Sequence, residues 1–353
     1  MSQSPSLLVS QSVIDSFAQE VLRLRREYGF ETFWLGTTVT GVSGEAEAEP
    51  IRREINRRVG ELVEATEPAL VATLVSPQAR MVLYYPRGEV KMRLQPLLAY
   101  GRYLKLSREI PQSKWPCRVC RGEGCEVCGG TGRKFQTSVE EILAAPLREL
   151  TGAGASKMHS VGREDVDARM LGRGRPFVLE LAEPRTRHVD LAAVQEQVNR
   201  EHPEEVVIRE LQPADAARLA RMRRMDPDKS YRARVRCGSA ARRGAIEALG
   251  DIRHLVLTQE TPRRVLHRRP NRVRKRTVRE CAVEILSAGP LVREFELRLR
   301  VQSGTYIKEF ISGDEGRTRP WVGGFLGVPC DCVELDVMEV HDTISDCRVP
   351  IAE

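Results

Sequence analysis

Two closely spaced C-x-x-C pairs are the densest group of chemically active side chains in the sequence. They hold four of the nine cysteines within twelve positions, namely Cys117, Cys120, Cys125 and Cys128. Four thiolates favour zinc in a closed tetrahedral site that leaves no position for a substrate. A loop of reduced cysteines, a dithiol redox pair and an iron site are the alternatives. We predict a structural zinc module at residues 115–132.

A strongly basic segment lies further along the chain. Residues 262–279, PRRVLHRRPNRVRKRTVR, contain nine Arg or Lys and no acid. Such a run repels itself inside a helix or strand, whereas along a phosphate backbone each charge gains a partner and releases counterions. Pro262 and Pro270 disfavour a continuous helix. We predict a long β-hairpin or protruding loop at 258–279, with a solvated loop as the alternative.

This segment supplies the candidate RNA-binding residues. They are Arg263, Arg264, Arg268, Arg269, Arg272, Arg274, Lys275 and Arg276. Arginine suits the role because its planar fork holds a phosphate through two donors. Few aromatic residues lie in the segment, which favours binding to a folded RNA over stacking along a single strand.

Two aspartates lie in a turn rich in glycine and arginine. The turn begins GREDVDAR and precedes an apolar strand. Asp165, between Arg163 and Arg169, is expected to stay ionised because nearby positive charge favours the charged form. It can be a nucleophile, a metal ligand or half of a structural ion pair, and the residues alone favour the ion pair. Asp167 would point to the other face of an extended segment, so we expect it to be structural.

Composition limits the class of protein. A chain of 353 residues, 41% apolar, is long enough for two domains and a small module. Its net charge of +7 and pI near 9.0 favour a polyanionic partner. No apolar run reaches membrane-spanning length, and the opening MSQSPSLLVS does not resemble a secretory signal. An odd number of cysteines, four of them clustered, fits a reducing compartment, so we predict a cytoplasmic protein with no membrane partner.

Apolar spacing predicts the elements that position these groups. Helical spacing recurs at 13–24 and 51–62, and strand-like runs lie at 33–39, 70–75 and 81–85. A small open sheet covered by helices is the simplest arrangement. Further on, Ser138 and Glu141 predict a capping box at a helix start. The alternation in 295–301, and similarly in 332–340, predicts antiparallel strands with one exposed face.

Several longer blocks resemble one known family. In order, they are GRYLKLSREIPQSKWPC, GREDVDARMLGRGRPF, DKSYRARV, QETPRRVLHRRPNRVRKR and SGTYIKEFISGDEGRTRP. They resemble the archaeal Pus-ten-type tRNA pseudouridine synthases over roughly residues 30–345. The resemblance implies an α+β fold, in which a catalytic domain at 101–353 is built on a mixed, mainly antiparallel sheet. It also implies a THUMP-like α/β RNA-binding domain at 1–100.

The resemblance further implies an activity and its residues. The activity is isomerisation of uridine to pseudouridine at positions 54 and 55 of the tRNA T-loop, with no organic cofactor and no small-molecule cosubstrate. Asp165 takes the place of the nucleophile. The residues implied for substrate binding are Tyr231, Tyr306, Ile307, Lys308 and Leu335.

Each of these residues has an implied role. Tyr231 stacks on the target base, Tyr306 and Ile307 line the uracil pocket, and Leu335 adds an apolar wall. Lys308 is the cation expected to lie against Asp165. Without the resemblance, core packing is the ordinary role for tyrosine, isoleucine and leucine in strands. The basic segment matches the family's thumb-like loop.

Two other classes of function stay open. One is a non-catalytic, zinc-stabilised tRNA-binding protein in which Asp165 only pairs with arginine. The other is a different tRNA-modifying enzyme, although no G-x-G-x-x-G opening after a strand is present for a methyltransferase. We predict a monomer that binds the T-arm of tRNA. Relatives often carry extra N-terminal sequence with a cysteine pair, so we expect the tRNA affinity or site choice of this chain to differ.

Overall fold

The computed structural model describes residues 9–267, 269–285 and 287–342. The chain divides into two compact units. The first comprises the described residues of Met1–Leu98 with Ala144–Lys157 and Leu179–Asp190. The second comprises Ala99–Leu143, Met158–Val178 and the described residues of Leu191–Glu353. The predicted limits of the two domains stay a prediction.

The described residues form eight α-helices and fourteen β-strands. The α-helices are α1 Gln11–Tyr28, α2 Glu45–Thr66, α3 Val139–Thr151, α4 Leu191–Glu201, α5 Ala216–Arg223, α6 Arg243–Glu247, α7 Ile307–Ser312 and α8 Val322–Leu326. The strands are β1 Thr32–Val39, β2 Val71–Ala72, β3 Ala79–Tyr85, β4 Glu89–Leu94, β5 Leu97–Lys105, β6 Ala155–Ser160, β7 Ala168–Ala182, β8 Val206–Ala214, β9 Lys229–Arg242, β10 Arg253–Glu260, β11 Val273–Ile285, β12 Leu291–Val301, β13 Thr318–Arg319 and β14 Cys330–Val340.

The first unit contains a four-stranded sheet in the order β2-β1-β3-β4. Strand β1 pairs in parallel with β2 and β3, and β4 is antiparallel to β3. The apolar stripe of α1, including Phe17 and Val21, is buried in the same core as Phe33 and Met81. Helix α1 ends at Gly29, whose left-handed backbone lets its N–H bond the Arg25 carbonyl. The predicted helices and the strands at 33–39 and 81–85 are confirmed.

The predicted strand at 70–75 is largely wrong. Only Val71 and Ala72 pair with β1, at its first two residues. The side chains of Leu74 and Val75 are 77% and 82% exposed. The apolar run suggested a longer strand, but β2 is an edge strand that ends after two residues. The side chains that follow it face solvent and gain nothing from a strand conformation.

The second unit is built on a ten-stranded sheet. Its order is β13-β10-β11-β12-β9-β14-β7-β5-β8, and β6 pairs with β7. Strand β14 pairs in parallel with β7 but antiparallel with β9. Antiparallel pairing also joins β12 to β9 and β11, and β11 to β10. The α+β class and the mixed sheet are therefore confirmed.

The prediction of one exposed face has a different outcome for each of the two strands. In β12 the alternation is confirmed, since Phe295, Leu297 and Leu299 are buried and the residues between them are more exposed. In β14 it is wrong, because Leu335, Asp336 and Val337 are buried in succession. Leu335 packs in the hydrophobic core on one face of β14. On the other face, the side chains of Arg108, Arg169 and Arg232 bond Asp336 and cover it.

A buried charge cluster joins β14 to its neighbours. Asp336 is 2% exposed and lies opposite Arg169 on β7 and Arg232 on β9. Its carboxylate accepts hydrogen bonds from these two residues at 2.7–2.9 Å and from Arg108 at 2.6 Å. Although burial acts to raise it, hydrogen bonds from Arg169 and Arg232 lower the pKa of Asp336 to about 2. The cluster therefore requires an ionised aspartate.

Replacing Asp336 by Asn should destabilise the protein in a pH-dependent way. The pKa of Asp336 in the folded protein lies below the ordinary value for an aspartate, so the charged carboxylate contributes about 2 kcal/mol at neutral pH. This contribution is complete above about pH 4 and is lost as the pH falls toward 2. Urea unfolding of Asp336→Asn should therefore differ most from wild type at neutral pH, and the difference should narrow in acid.

Asp331→Asn, on an exposed position of the same strand, serves as the control and should change stability little. A loss of stability for Asp336→Asn that is the same at pH 7 and pH 3 would contradict the ionised cluster.

Candidate active site

A cleft of about 750 Å³ lies in the second unit. All six residues predicted as catalytic or substrate-binding line it, together with four arginines of the basic segment. These ten are Asp165, Tyr231, Arg264, Arg269, Arg274, Arg276, Tyr306, Ile307, Lys308 and Leu335. The structure thus brings together residues that are far apart in the sequence, while their individual roles stay predictions.

The turn that carries Asp165 is held from behind by a buried ion pair. Arg175 of β7 donates from Nε to Oε2 of Glu164 at 2.8 Å, and both side chains are fully buried. Tyr103 also donates its hydroxyl to Glu164, at 3.0 Å. A second bond from Arg175 reaches the Val161 carbonyl at 2.6 Å. Glu164 and Asp165 both line the cleft, but the Glu164 side chain is fully buried whereas that of Asp165 is 30% exposed.

A buried lysine secures the far side of the same turn. Lys105, at the end of β5, has no exposed surface, and its Nζ donates to the Val166 carbonyl at 2.5 Å and the Asp165 carbonyl at 3.4 Å. Two further bonds reach the carbonyls of Ser107 and Ile110. Burial lowers the pKa of Lys105 to about 8. The ammonium therefore ties two carbonyls of the turn to the carbonyls of Ser107 and Ile110, and these bonds compensate its burial.

Arg264 is the cation in direct contact with Asp165. Its Nη1 lies 3.0 Å from Oδ1 and 2.9 Å from Oδ2 of that carboxylate. The same guanidinium donates from Nε to Glu309 at 2.6 Å. Arg264 was predicted only as a phosphate-binding residue of the basic segment. In the structure it lies inside the cleft, between the carboxylates of the turn and of α7.

Lys308 contacts both aspartates of the turn, and its closer partner is Asp167. Its Nζ lies 3.8 Å from Asp165 but only 2.6 and 2.8 Å from the two oxygens of Asp167. Although burial acts to raise it, the Lys308 hydrogen bond lowers the pKa of Asp167. The main partner of Lys308 is therefore Asp167, and Asp167 does not point to the opposite face. The segment is a turn, in which the Ala168 N–H bonds the Asp165 carbonyl, and an extended strand would be needed to separate the two carboxylates.

The tyrosines lie on two different elements of the cleft wall. Tyr231 comes from β9, where it pairs with Leu299 of β12. Burial raises the pKa of Tyr231 to about 12, so its hydroxyl stays protonated. Tyr306 precedes α7, and the buried amide of Gln259 bonds both its N–H and its carbonyl, at 3.0 and 2.9 Å. Arg269 donates to the Tyr306 hydroxyl at 3.3 Å.

The apolar side chains in the wall of the cleft are almost fully buried. Ile307 is 3% exposed and Leu335 is 7% exposed. Both belong to the same hydrophobic cluster as Phe310 of α7. The cleft thus presents apolar side chains next to a carboxylate that is held by an arginine. Such a site can stabilise charge while it restricts the access of water.

Other lining residues were missed from the sequence. Lys229 lines the cleft, is 4% exposed and donates from Nζ to Ser303 Oγ at 2.8 Å. Burial lowers its pKa to about 8. The sequence could have predicted Lys229 as a lining residue, because it lies two residues before Tyr231 and residues two apart in a strand share a face. Arg175, which lies behind the turn and not in the cleft lining, also had a signal, since it is a charge directly before the apolar run PFVLELA.

The basic segment forms the predicted hairpin. Strands β10 and β11 pair antiparallel from Arg253↔Glu280 to Glu260↔Val273, and residues 261–272 connect them. Its residues have different environments, since Arg272 and Lys275 are exposed while Arg264 and Arg269 line the cleft. Arg268 lies outside the described residues. The hairpin therefore reaches from open surface to the wall of the cleft.

The four clustered cysteines have the geometry of a metal site. Their Sγ atoms all lie within 4.8 Å of one another. Three of the separations are 3.7, 3.8 and 3.9 Å, close to the value of about 3.8 Å that tetrahedral zinc–sulfur bonds require. Backbone N–H groups of Gly124 and Gly132 donate to the sulfurs of Cys120 and Cys128 at 3.1 and 3.2 Å. These residues could hold a metal ion.

Comparison with known proteins shows the family. Residues 98–341 match the family model described as "Pus10, C-terminal". A curated relative named tRNA pseudouridine synthase Pus10 from Methanothrix thermoacetophila is 39% identical, over 87% of this chain and 70% of its own. One of the same name from Archaeoglobus fulgidus is 38% identical, over 93% of this chain and 92% of its own. The chain belongs to the Pus10 family of pseudouridine synthases and is therefore an enzyme of the isomerase class.

Solved structures give weaker matches. A Cbf5-Nop10-Gar1 complex aligns with a TM-score of 0.35 and 16% identity, over 68% of this chain and 48% of that one. The THUMP domain of THUMP domain-containing protein 1 aligns with a TM-score of 0.19 and 14% identity, over 26% of this chain and 92% of that one. Within the described residues, no helix is both long and apolar enough to span a membrane.

The cysteine cluster predicts one bound metal ion per chain. Cys125→Ser removes one of four ligands and should abolish stoichiometric metal and lower the melting temperature, because ligand binding contributes to folding. Cys332→Ser, outside the cluster, is the matched control and should keep the metal. Elemental analysis of purified proteins measures both. Metal-free wild-type protein with an unchanged melting temperature would contradict the prediction.

Proposed function

We propose that the protein isomerises uridine to pseudouridine at positions 54 and 55 of the tRNA T-loop, with Asp165 as the nucleophile. The observation that carries the proposal is the position of the Asp165 carboxylate, bonded to Arg264 in a cleft that Tyr231 also lines. The names of the curated relatives support a tRNA substrate. The resemblance of the sequence blocks supports the T-loop.

Each part of the site can serve one step of this reaction. Removing uridine from its stack costs a few kcal/mol, part of which stacking on Tyr231 returns. The C1′–N1 bond breaks with help from the Asp165 carboxylate, which attacks the sugar or the ring or removes a ribose proton. The base then turns and the C1′–C5 bond forms. C5 loses its proton and N1 gains one, so atoms and charge balance.

The surroundings of Asp165 suit a charged group in a partly dry site. Arg264 makes two contacts with its oxygens, and Lys308 lies within 4 Å. Both cations place positive charge beside the carboxylate. The walls formed by Ile307 and Leu335 limit water, so a detached uracil is retained rather than lost. These contacts support Asp165, rather than Asp167, as the reacting carboxylate.

The remaining parts bind the RNA. Exposed residues of the hairpin, Arg272 and Lys275 among them, are placed to contact phosphates of the T-arm. The first unit serves as a THUMP-like RNA-binding domain. Zinc is the metal of the cysteine module, because four thiolates with no open position suit a structural zinc site. The protein acts as a monomer in the cytoplasm without an organic cofactor or cosubstrate.

The ion pair between Asp165 and Arg264 could also hold the hairpin in place in a protein that only binds tRNA. Membership of a family of pseudouridine synthases argues against this alternative. Neutralising the carboxylate distinguishes the two, because an enzyme loses its reaction whereas a binding protein only loses some stability.

Asp165→Asn should abolish pseudouridine formation. Purified protein is incubated with unmodified tRNA transcript and no cofactor, and pseudouridine is mapped by position. Wild type should modify the T-loop, and Asp165→Asn should lower the single-turnover rate on the order of a thousandfold or more while tRNA binding persists.

Asp167→Asn is the matched control, since it removes the neighbouring carboxylate that Lys308 holds. It should retain most of the rate. Equal rates for wild type and Asp165→Asn would refute the nucleophile, and no pseudouridine from the wild type would leave the binding protein as the function.

Arg264→Lys should separate catalysis from RNA binding. Lysine keeps the charge but cannot bond Asp165 and Glu309 together through one planar fork. We expect the single-turnover rate to fall by about tenfold to a hundredfold, as misplacement of a reacting group does, with tRNA affinity changed little.

Arg272→Lys, an exposed change within the same segment, is the control and should leave the rate constant unchanged. The assignment of Arg264 to the site fails if both variants behave alike in rate and in affinity.

A further inference from the structure

The cysteine module supplies part of the cleft wall. Trp115 lines the cleft and lies two residues before the first cysteine of the cluster. The chain that leaves the module runs back beside it, since the Lys134 N–H bonds the Trp115 carbonyl at 3.0 Å. A further backbone bond joins the Cys117 N–H to the Gly132 carbonyl at 2.8 Å. The metal-binding loop and the tryptophan therefore belong to one loop that is closed by backbone hydrogen bonds.

The surroundings of the indole suit a nucleotide. Trp115 is half-buried and packs edge-on against Phe135, with ring centroids 5.5 Å apart and planes at 78°. Lys134 holds its Nζ 5.2 Å from both rings. Because the ammonium lies over one face of the Trp115 ring, a base would stack on the other face, and the ammonium can contact a phosphate of the same RNA strand. None of these side chains has a part in the chemistry assigned to Asp165.

The cleft has room for more than the target base. Its volume of about 750 Å³ is typical of pockets for drug-sized ligands, which are larger than one pyrimidine ring. Tyr231 and Tyr306 already provide the aromatic groups for the target. The module also touches the basic hairpin, since Nη2 of Arg118 lies 2.9 Å from Nε2 of His267. An RNA strand on the hairpin thus passes close to the module.

We propose that Trp115 stacks on an unpaired nucleobase next to the target uridine, and that the cysteine module holds Trp115 in place for this contact. The module is then part of the substrate-binding surface as well as a folding element. The inference rests on the proposed function for its substrate, an RNA loop with unpaired bases. It adds a residue that positions the substrate without touching the reacting atoms.

The test measures binding and turnover separately. Binding of a T-arm stem-loop RNA is followed by tryptophan fluorescence, since a stacked base quenches an indole. The chain has three tryptophans, at positions 34, 115 and 321. Trp115→Phe should lose most of the quenching yet keep most of the affinity, because phenylalanine still stacks. Trp321→Phe, a change in the same unit but outside the cleft lining, should keep the quenching.

Trp115→Ala should weaken binding and raise KM by roughly tenfold to a hundredfold, the range for one lost base–aromatic stack, with kcat little changed. Its melting temperature is measured beside wild type to establish that it folds. The double variant Cys125→Ser/Trp115→Ala should bind the RNA with the same affinity as whichever single variant binds it less tightly, because both changes remove the same contact.

Three results would overturn the inference. They are affinity of Trp115→Ala within twofold of wild type, unchanged quenching in Trp115→Phe, or fully additive losses in the double variant. Each is read against wild-type protein that forms pseudouridine in the same RNA. Absence of that product in wild type would count against the proposed function instead, so the two failures are distinguishable.

Discussion

The buried ion pair between Arg175 and Glu164 is the interaction on which the site depends. It places a fully buried charge pair in the sheet directly behind the turn. Breaking such a pair costs about 3–5 kcal/mol, because one charge is left uncompensated. The pair acts through position, because it keeps the Glu164 carboxylate buried against Arg175 and leaves the carboxylate of the next residue, Asp165, accessible from the cleft. With Lys105 bonding the carbonyls of the turn, the backbone has little freedom to move.

Arg264 connects this rigid turn to the parts that bind RNA. It belongs to the basic hairpin, yet it contacts Asp165 of the turn and Glu309 of α7. A guanidinium can do this because its donors point in several directions within one plane. The hairpin, the turn and the helix therefore meet at one side chain. A displacement of the hairpin by bound RNA would alter the charge environment of Asp165, which gives substrate binding a direct route to the reacting group.

Local patterns predicted much of the fold, and long-range contacts account for the rest. Helix α1, strand β12 and the cysteine cluster follow from spacing within a few residues. Burial of Asp336 in β14 depends on Arg108, Arg169 and Arg232, which are distant in sequence, so the pattern of the strand itself could not show it. The site residues came from resemblance, but the pairing of Lys308 with Asp167 depends on a turn where an extended strand was assumed. The sequence indicates that Arg264 belongs to a basic segment, but only the folded chain shows that it bonds Asp165 and Glu309.

The most direct test of this account is an experimental structure of the protein with a T-arm RNA. The account predicts that a flipped uridine occupies the cleft, its ring against Tyr231 and its glycosidic carbon about 3–3.5 Å from an Asp165 oxygen, the distance of a reactive approach. An RNA bound with all its bases stacked outside the cleft, and with Asp165 still paired only with protein side chains, would contradict it.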